Sequence, residues 1–163
     1  SDVYKRQGEY LAMDFPLKHP QPVAVPPGLA EALGCEILEV QRSDDYIAVV
    51  ADAAVVEGLT PDFAALSRYD VRGVAVTAPG AGELDFVSRW FGPQVGVNED
   101  PVTGSAHTSL ATYWSARLGK TRLSTRQGGA RRGQLQCELP GNGRLIISGR
   151  GALYMRGTLY LGQ

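Results

Sequence analysis

The sequence predicts an α+β fold in which a curled antiparallel or mixed sheet wraps around one central, buried helix. Three observations indicate this fold: a single long apolar helical pattern, short strand-like segments on both sides of it, and many turn residues (20 Gly and 10 Pro among 163 residues). An apolar helix and a sheet face must each be covered, and packing one on the other forms a single core. A chain of this length can bury a core of ordinary size.

The central helix is predicted over residues 105–118, ending at Gly119. Its apolar residues recur at helical spacing, and it carries little charge before Arg117, so most of its sides should be covered. The residues that form this apolar surface are Ala106, Leu110, Ala111, Tyr113, Trp114, Ala116 and Leu118.

The first part of the chain predicts short elements separated by turns. A connector containing four prolines follows the first strand, and a hairpin is expected around residues 42–45. Thr60, Pro61 and Asp62 have the pattern of a helix start, with Thr60 as the N-cap, and that helix should run to about Arg68. The predicted strands are residues 10–15, 35–41, 46–51, 71–77 and 83–91, and a short helix is predicted over residues 28–33.

After the central helix the pattern is that of successive short strands. They are predicted over residues 122–126, 134–139, 144–148 and 152–161. Asn142-Gly143 predicts a type I′ turn between the second and third of them. No internal repeat or linker divides the chain.

Composition excludes several classes of function. The net charge is −1, which gives no basic field for nucleic acid or an anionic membrane surface, and no apolar run has the length of a membrane span. Two histidines are too few for a self-contained metal cluster, so no metal is expected. Cys35 and Cys137 are predicted to be half-buried thiols in the reducing cytoplasm, with a single disulfide as the alternative.

The candidate site is the polar, glycine-containing stretch at residues 96–107, directly before the central helix. The backbone N–H groups of Thr103, Gly104, Ser105 and Ala106 would be free at a helix N-terminus, where the helix dipole favours an anion. Asp100 could carry a proton and Ser105 could donate a hydroxyl hydrogen to the same bound group. The alternative is that this stretch is only a turn and a cap, which precede many helices that bind nothing.

Two other features could carry chemistry, the Ser105–His107 pair and residues 126–133. Ser105 and His107 are two residues apart on a helix and point in different directions, which disfavours a hydrolase triad, and a hydrogen-bonded structural role is favoured for His107. The arginines and glycines of residues 126–133 could cradle a phosphate or carboxylate, but a solvated hairpin loop is favoured there.

Residues 99–107, Glu-Asp-Pro-Val-Thr-Gly-Ser-Ala-His, closely resemble the signature of the PhzF-like phenazine-biosynthesis family of isomerases. The resemblance continues in the same order through roughly residues 10–160. The further matching segments are residues 13–16, 59–62, 73–77, 85–89, 113–114, 118–120, 126–128 and 148–150.

The resemblance implies a diaminopimelate-epimerase-like fold, and a parent protein of two similar domains with the active site between them. Residues 10–163 would be the single C-terminal domain, and residues 1–9 a foreign or disordered leader. Asp100 and Ser105 match the family's catalytic residues of this domain, and Thr103, Gly104 and Ser105 its substrate-binding segment. The family's acid/base glutamate lies in the first domain and has no counterpart here. The family is often dimeric, so a homodimer is one expectation.

The leading hypothesis is therefore the C-terminal half of a cofactor-independent isomerase that transfers a proton on a small carboxylate-bearing substrate, inactive without the missing domain. Two-cysteine racemisation is disfavoured because no thiol lies near residues 100–103. The alternative is a stand-alone anion-binding or assembly module without catalysis.

Overall fold

The computed structural model describes residues 4–7, 10–158 and 160. Within them the strands join into one mixed sheet. The strands are β1 (Tyr4–Gln7), β2 (Tyr10–Pro16), β3 (Gln21–Val23), β4 (Glu39–Arg42), β5 (Tyr46–Val49), β6 (Val74–Pro79), β7 (Phe86–Gly92), β8 (Val97–Asp100), β9 (Arg122–Gln127), β10 (Gly133–Glu138) and β11 (Arg144–Arg150). Their order in the sheet is β1-β2-β11-β10-β9-β7-β6-β5-β4-β3, with β8 paired to β7.

Both kinds of strand pairing are present in this sheet. β5 with β6 and β7 with β9 are parallel, and the other neighbouring pairs are antiparallel. The parallel pair β7–β9 requires a long connection, and that connection contains β8 and the main helix. The helices are α1 (Leu29–Leu33), α2 (Ala53–Gly58), α3 (Phe63–Leu66) and α4 (Gly104–Leu118).

Each face of the sheet carries its own core, because successive residues of a strand point to opposite sides. On one face, Val74 and Val76 pack with the three short helices α1, α2 and α3. On the other face, Ala75 and Trp90 pack against α4. The predicted α+β fold with a mixed sheet is confirmed, and the short helices cover the sheet face that α4 leaves open.

The helix α4 is surrounded by strands from both halves of the sheet. It contacts β2, β9 and β11 on one side. On the other side, Trp114 Nε1 donates to Thr77 Oγ1 at 3.0 Å, and the Tyr113 hydroxyl donates to Glu39 on β4. The Trp114 ring also stacks on Phe86, with ring centroids 5.8 Å apart. The sheet therefore curls around this helix, as the sequence predicts.

The extent of α4 is predicted to within one residue, but its apolar surface is shorter than expected. The helix ends at Gly119, which has a φ of 66°, a conformation that glycine adopts readily. Every residue from Ala106 to Ala111 is buried, whereas Ala116 and Leu118 are exposed. The prediction that these two residues belong to the core is wrong, because the last turn extends past the edge of the sheet.

Two helix starts differ from the sequence prediction. The helix predicted to follow the N-cap Thr60 begins two residues later as the single turn α3, and its N-cap is Asp62, whose carboxylate accepts from Ala65 N at 3.0 Å. The helix α2, which was not predicted, is capped in the same way by Asp52 and Val55 N. Aspartate is as good an N-cap as threonine, so the residue types alone do not show whether Thr60 or Asp62 begins the helix α3.

The C-terminal predictions need correction at two places. Asn142 does not have a positive φ, so Asn142-Gly143 is not a type I′ turn, which requires positive φ at both residues. The connection from β10 to β11 is longer, and there Asn142 Oδ1 accepts from Arg144 N. The strand predicted over residues 152–161 is absent from residues 152–158 and 160, and positions 159 and 161 lie outside the described residues.

Two strands lie where no strand was predicted, and one lies in the predicted leader. β3 falls within the proline-rich connector and pairs with β4, and β8 precedes α4. β1 pairs with β2, so four residues of the segment assigned to a foreign or disordered leader form a strand. Whether that segment is foreign stays a prediction.

Candidate functional site

The candidate site lies where β8 ends and α4 begins. β8 pairs with β7, with Asp100 opposite Trp90. After Pro101 the chain turns into α4, whose N-cap is Thr103 in an extended conformation. Because a polar strand is followed directly by a short turn, Asp100 and the first residues of α4 lie together at one edge of the sheet.

Gln127, at the end of β9, anchors this turn. Its side-chain oxygen accepts from Thr103 N at 2.9 Å, and its side-chain nitrogen donates to Asp100 O at 2.8 Å and to Thr103 Oγ1 at 2.9 Å. The Gln127 side chain is completely buried. An amide side chain carries both an acceptor oxygen and a donor nitrogen, so it satisfies the turn's backbone on both sides.

The Gln127 contacts also fix the Asp100 carboxylate. Thr103 Oγ1 accepts from Gln127, so it is free to donate its own hydrogen, and it donates to Asp100 Oδ2 at 2.8 Å. No hydrogen bond to Asp100 Oδ1 is present among the described residues. One carboxylate oxygen is therefore held in place and the other is available to a ligand.

Two of the four backbone N–H groups expected to be free are in use. Thr103 N donates to Gln127, and Ala106 N donates to Thr103 O at 3.2 Å. That expectation is wrong for these two residues. In the described part of the chain, Gly104 N and Ser105 N have no hydrogen-bond acceptor, so they are the amides that a bound anion would contact.

Ser105 is exposed, and its hydroxyl is contacted by an arginine from another part of the chain. Arg72 Nη1 donates to Ser105 Oγ at 2.5 Å. The guanidinium of Arg72 is paired in turn with the buried carboxylate of Asp45. Arg72 is not among the predicted site residues, because its contact with Ser105 joins residues 33 positions apart.

An ion pair between Arg89 and Glu99 holds the β8 strand in place. Arg89 Nε and Nη2 each donate to Glu99 at 2.8 Å, and Arg89 Nη1 donates to Leu59 O. The Arg89 guanidinium, together with the Gly129 N–H group, holds the pKa of the Glu99 carboxyl below its usual value. Glu99 therefore stays ionised and fixes the strand that ends in Asp100.

The loop from residue 128 to 132 supports the same segment. Gly128 has a φ of 109°, and a Cβ there would lie 2.0 Å from Arg131 O and 2.9 Å from Pro101 O. Arg126 and Arg132 pair with Glu57. This geometry fits the favoured interpretation of a hairpin loop better than a phosphate cradle, since Arg126 of β9 and Arg132 of the loop share one carboxylate partner.

His107 lies beneath the first turn of α4 and is completely buried. Its Nδ1 lies 2.9 Å from Thr103 O. A carbonyl only accepts, so Nδ1 must carry a hydrogen. Burial lowers the pKa of His107 to about 4, against the opposing effect of the Thr103 hydrogen bond. These contacts fit the structural role that the sequence favoured.

The neutral state of His107 predicts a pH-dependent stability. Between pH 6.5 and 4 the unfolded chain binds a proton at this residue that the folded chain excludes, so stability falls as the pH falls through this window. We expect a loss of about 2 kcal/mol at pH 5 relative to pH 7, measured by urea denaturation.

Two variants test this assignment. His107→Asn should abolish the His107 contribution to the difference between pH 7 and pH 5, whereas His19→Asn, at an exposed position, should retain it. An equal dependence in all three proteins would show that His107 is not the residue responsible.

Neither cysteine is near the candidate site, and neither is in a disulfide. Cys137 is fully buried rather than half-buried, and burial raises the pKa of its thiol to about 12. Burial also raises the pKa of Cys35. Both thiols are therefore protonated at neutral pH, which does not suit a two-thiol acid/base mechanism.

Two further properties of the described residues concern metal binding and membrane spanning. No group of three or more His, Cys, Asp or Glu side chains that could hold a metal ion occurs within residues 4–7, 10–158 and 160. In the same residues, none of the helices is both long and apolar enough to cross a membrane.

A family model described as phenazine biosynthesis-like protein matches residues 30–157. An uncharacterized isomerase of Pseudomonas aeruginosa is 62% identical over 157 residues, which cover 96% of this chain and 60% of that protein. A second uncharacterized isomerase of the same organism is 45% identical, with 96% of this chain and 59% of that protein covered.

Solved structures give the same result. The crystal structure of a PhzF-family phenazine biosynthesis protein from Enterococcus faecalis superposes with a TM-score of 0.90 at 43% identity, covering 97% of this chain and 60% of that one. A putative phenazine biosynthesis PhzC/PhzF protein from Clostridium difficile gives 0.87 at 36% identity, with 97% and 61% covered. The chain thus spans about 60% of the length of these relatives.

Proposed function

This chain belongs to the PhzF-like, phenazine biosynthesis-like family of isomerases, and from this premise we propose that it forms the C-terminal half of a cofactor-independent isomerase. Its fold is the diaminopimelate-epimerase-like fold of that family. The proposed reaction moves a proton between two carbons of a small carboxylate-bearing substrate: one C–H bond breaks, another forms, and the electron pair shifts between them.

The observation that carries the proposal is the set of unused hydrogen-bonding groups at the start of α4. Gly104 N, Ser105 N and the Ser105 hydroxyl all offer hydrogens at the positive end of a helix of 15 residues. A carboxylate has two acceptor oxygens and a negative charge, so it matches this set. Thr103 was predicted to bind substrate as well, and we propose that it acts by holding Asp100.

Asp100 is the proposed proton carrier. Its free oxygen, Oδ1, can accept a proton from the substrate or return one, while Oδ2 stays bonded to Thr103. A second acid/base group is needed on the other side of the substrate, and we propose that it is the glutamate of the family's first domain. Without that domain the chain should bind a carboxylate but not isomerise it.

A stand-alone assembly module is the second candidate, and exposed apolar side chains favour it. Leu153, Tyr154, Met155 and Tyr160 are between 76% and 98% exposed. A surface of this kind would support a homodimer or association with another protein. Sedimentation at rising concentration tests the association surface of such a module. The wild type should self-associate, and a Leu153→Ser, Met155→Ser variant should remain monomeric.

We also propose a cytoplasmic location, on the ground that two free thiols suit a reducing compartment. The net charge of −1 gives no support to a nucleic-acid or membrane partner, so the proposed partner is the small carboxylate alone, apart from a second copy of the chain.

A titration with sodium benzoate, followed by amide chemical shifts, tests the carboxylate site. We expect the largest shifts at Gly104 N and Ser105 N, and weaker binding in Ser105→Ala, because one donor is lost. Ser115→Ala, which removes a hydroxyl from the far end of the same helix, should bind as the wild type does. Benzamide, which is uncharged, should bind much more weakly.

Two outcomes would contradict the proposal. One is a set of benzoate shifts that omits Gly104 and Ser105. The other is equal binding of benzoate and benzamide, since the dipole and the donors would then confer no preference for an anion.

A further inference from the structure

Arg72 lies in the turn before β6, and its guanidinium is held by two neighbouring side chains, those of Asp45 and Trp90. Nε donates to Asp45 Oδ1 at 2.9 Å, and Nη2 donates to Asp45 Oδ2. Asp45 is only 4% exposed and the Arg72 side chain is 32% exposed, so the two-point ion pair is buried on its carboxylate side. The guanidinium also lies over the Trp90 ring, 5.5 Å from its centroid.

This packing leaves the remaining edge of the guanidinium facing α4. Nη1 is the nitrogen that Asp45 does not use, and it donates to Ser105 Oγ at 2.5 Å. Gly73 keeps the arrangement compact, because a Cβ at this position would lie 2.3 Å from the Trp90 ring. The direction of Nη1 is therefore set by Asp45 and Trp90, and not by Ser105.

The chemistry of the two groups determines their roles. A guanidinium can only donate hydrogen bonds, so Ser105 Oγ must accept from Arg72. Its own hydrogen is then directed elsewhere, and Ser105 Oγ donates no hydrogen bond among the residues that the structure describes. The adjacent positive charge also strengthens the serine O–H as a donor.

We propose that Arg72 is a positioning residue that fixes the Ser105 hydroxyl as a hydrogen-bond donor to the bound carboxylate. The inference rests on the proposed carboxylate site and adds to it a residue outside residues 96–107. With Arg72 in place, the Ser105 hydroxyl joins the two free amides as a third donor at the start of α4. Without it, the Ser105 hydroxyl can rotate and accept, and the preference for an anion decreases.

The test uses a variant that keeps the fold. Arg72→Gln alone would leave the buried Asp45 carboxylate unpaired, which is costly, so Asp45→Asn is combined with it. The two amides can still bond to each other. Arg68→Gln, which removes an exposed arginine nearby in the sequence, is the control for the loss of a guanidinium, and the double variant itself leaves the net charge unchanged.

The first measurement needs no ligand. The Hα–Hβ couplings of Ser105 report whether its side chain occupies one rotamer. We expect a single rotamer in the wild type and in Arg68→Gln, and averaging in the Asp45→Asn, Arg72→Gln variant. Averaged couplings in the wild type, or a fixed rotamer in the double variant, would overturn the proposal.

The second measurement is benzoate affinity in a double-mutant cycle. The double variant should bind benzoate about tenfold more weakly, the effect of losing one charge-assisted hydrogen bond. In a Ser105→Ala background the same two substitutions should change the affinity by less than about twofold, because Arg72 acts through the hydroxyl. A full tenfold loss in that background would mean that Arg72 attracts the anion directly, and it would overturn the positioning role.

The two proposals fail in different ways. If benzoate causes no shift at Gly104 or Ser105 in the wild type, the carboxylate site is wrong, whatever the state of Arg72. The Ser105 couplings still decide, in that case, whether Arg72 holds the hydroxyl.

Discussion

Replacing Asp100 with asparagine in a complete enzyme is expected to lower kcat by about 10²- to 10⁴-fold, with substrate affinity changed by no more than about threefold. Asparagine has the same shape as aspartate, and its side-chain oxygen can still accept from Thr103 Oγ1, which is 2.8 Å from Asp100 Oδ2. An amide cannot carry a proton at neutral pH, however. The loss should therefore fall on proton transfer and not on binding.

The complete enzyme can be built from known parts. The chain is 62% identical to an isomerase of Pseudomonas aeruginosa and covers 60% of it, so it can replace the corresponding part of that protein. Turnover is followed in D₂O as deuterium incorporation at carbon, over a panel of small carboxylates with an acidic C–H bond. Asp52→Asn is the matched control, since asparagine caps α2 as well as aspartate does.

Three results would count against the proton-carrier role. Parallel losses of affinity and kcat in Asp100→Asn would indicate a binding residue. A kcat equal to that of Asp52→Asn would indicate that Asp100 is not needed. Unchanged activity in a protein lacking the first part of the relative would remove the need for a second acid/base group.

Gln127→Leu is expected to lower the free energy of unfolding by about 4 kcal/mol and to abolish the benzoate shifts at Gly104 and Ser105. Leucine has a similar size, but it leaves the buried Thr103 N–H group and the Asp100 carbonyl without partners, and each such loss costs about 1–3 kcal/mol. The turn before α4 should then rearrange, which moves the amides that the ligand contacts.

Urea denaturation and the benzoate titration measure the two parts of this prediction. Gln136→Leu, at an exposed position on the neighbouring strand β10, is the control and should change stability by less than about 0.5 kcal/mol. If Gln127→Leu unfolds like the control, or keeps full benzoate binding, the anchoring role of Gln127 is wrong.

The sequence predicts the fold class and the helix α4 because both depend on local patterns. The apolar spacing of α4 and the glycine after it specify where that helix lies and where it ends. Apolar runs likewise place β5 and β6 nearly correctly, and alternation does so for β9. Local patterns fail where tertiary contacts decide, as at residues 152–161, whose apolar residues predict a strand, although residues 152–158 and 160 have no strand partner.

The residues of the candidate site were predicted from sequence, but the contacts that hold them in place were not. Asp100 and Ser105 stand out as polar residues before an apolar helix. Gln127 had one available signal, because it follows Leu123 and Thr125 on the inward side of β9, where an amide is unusual. Arg72 had none, since nothing in its local sequence indicates that its side chain reaches Ser105.

The pairing of β2 with β11 has a consequence for how the protein forms during synthesis. Tyr10 is opposite Arg150, so these strands come from opposite ends of the described chain. Closing so long a segment is entropically costly and slows folding. On the ribosome, one edge of β2 stays unpaired until β11 has been synthesised and has emerged, and throughout that time a chaperone can bind it.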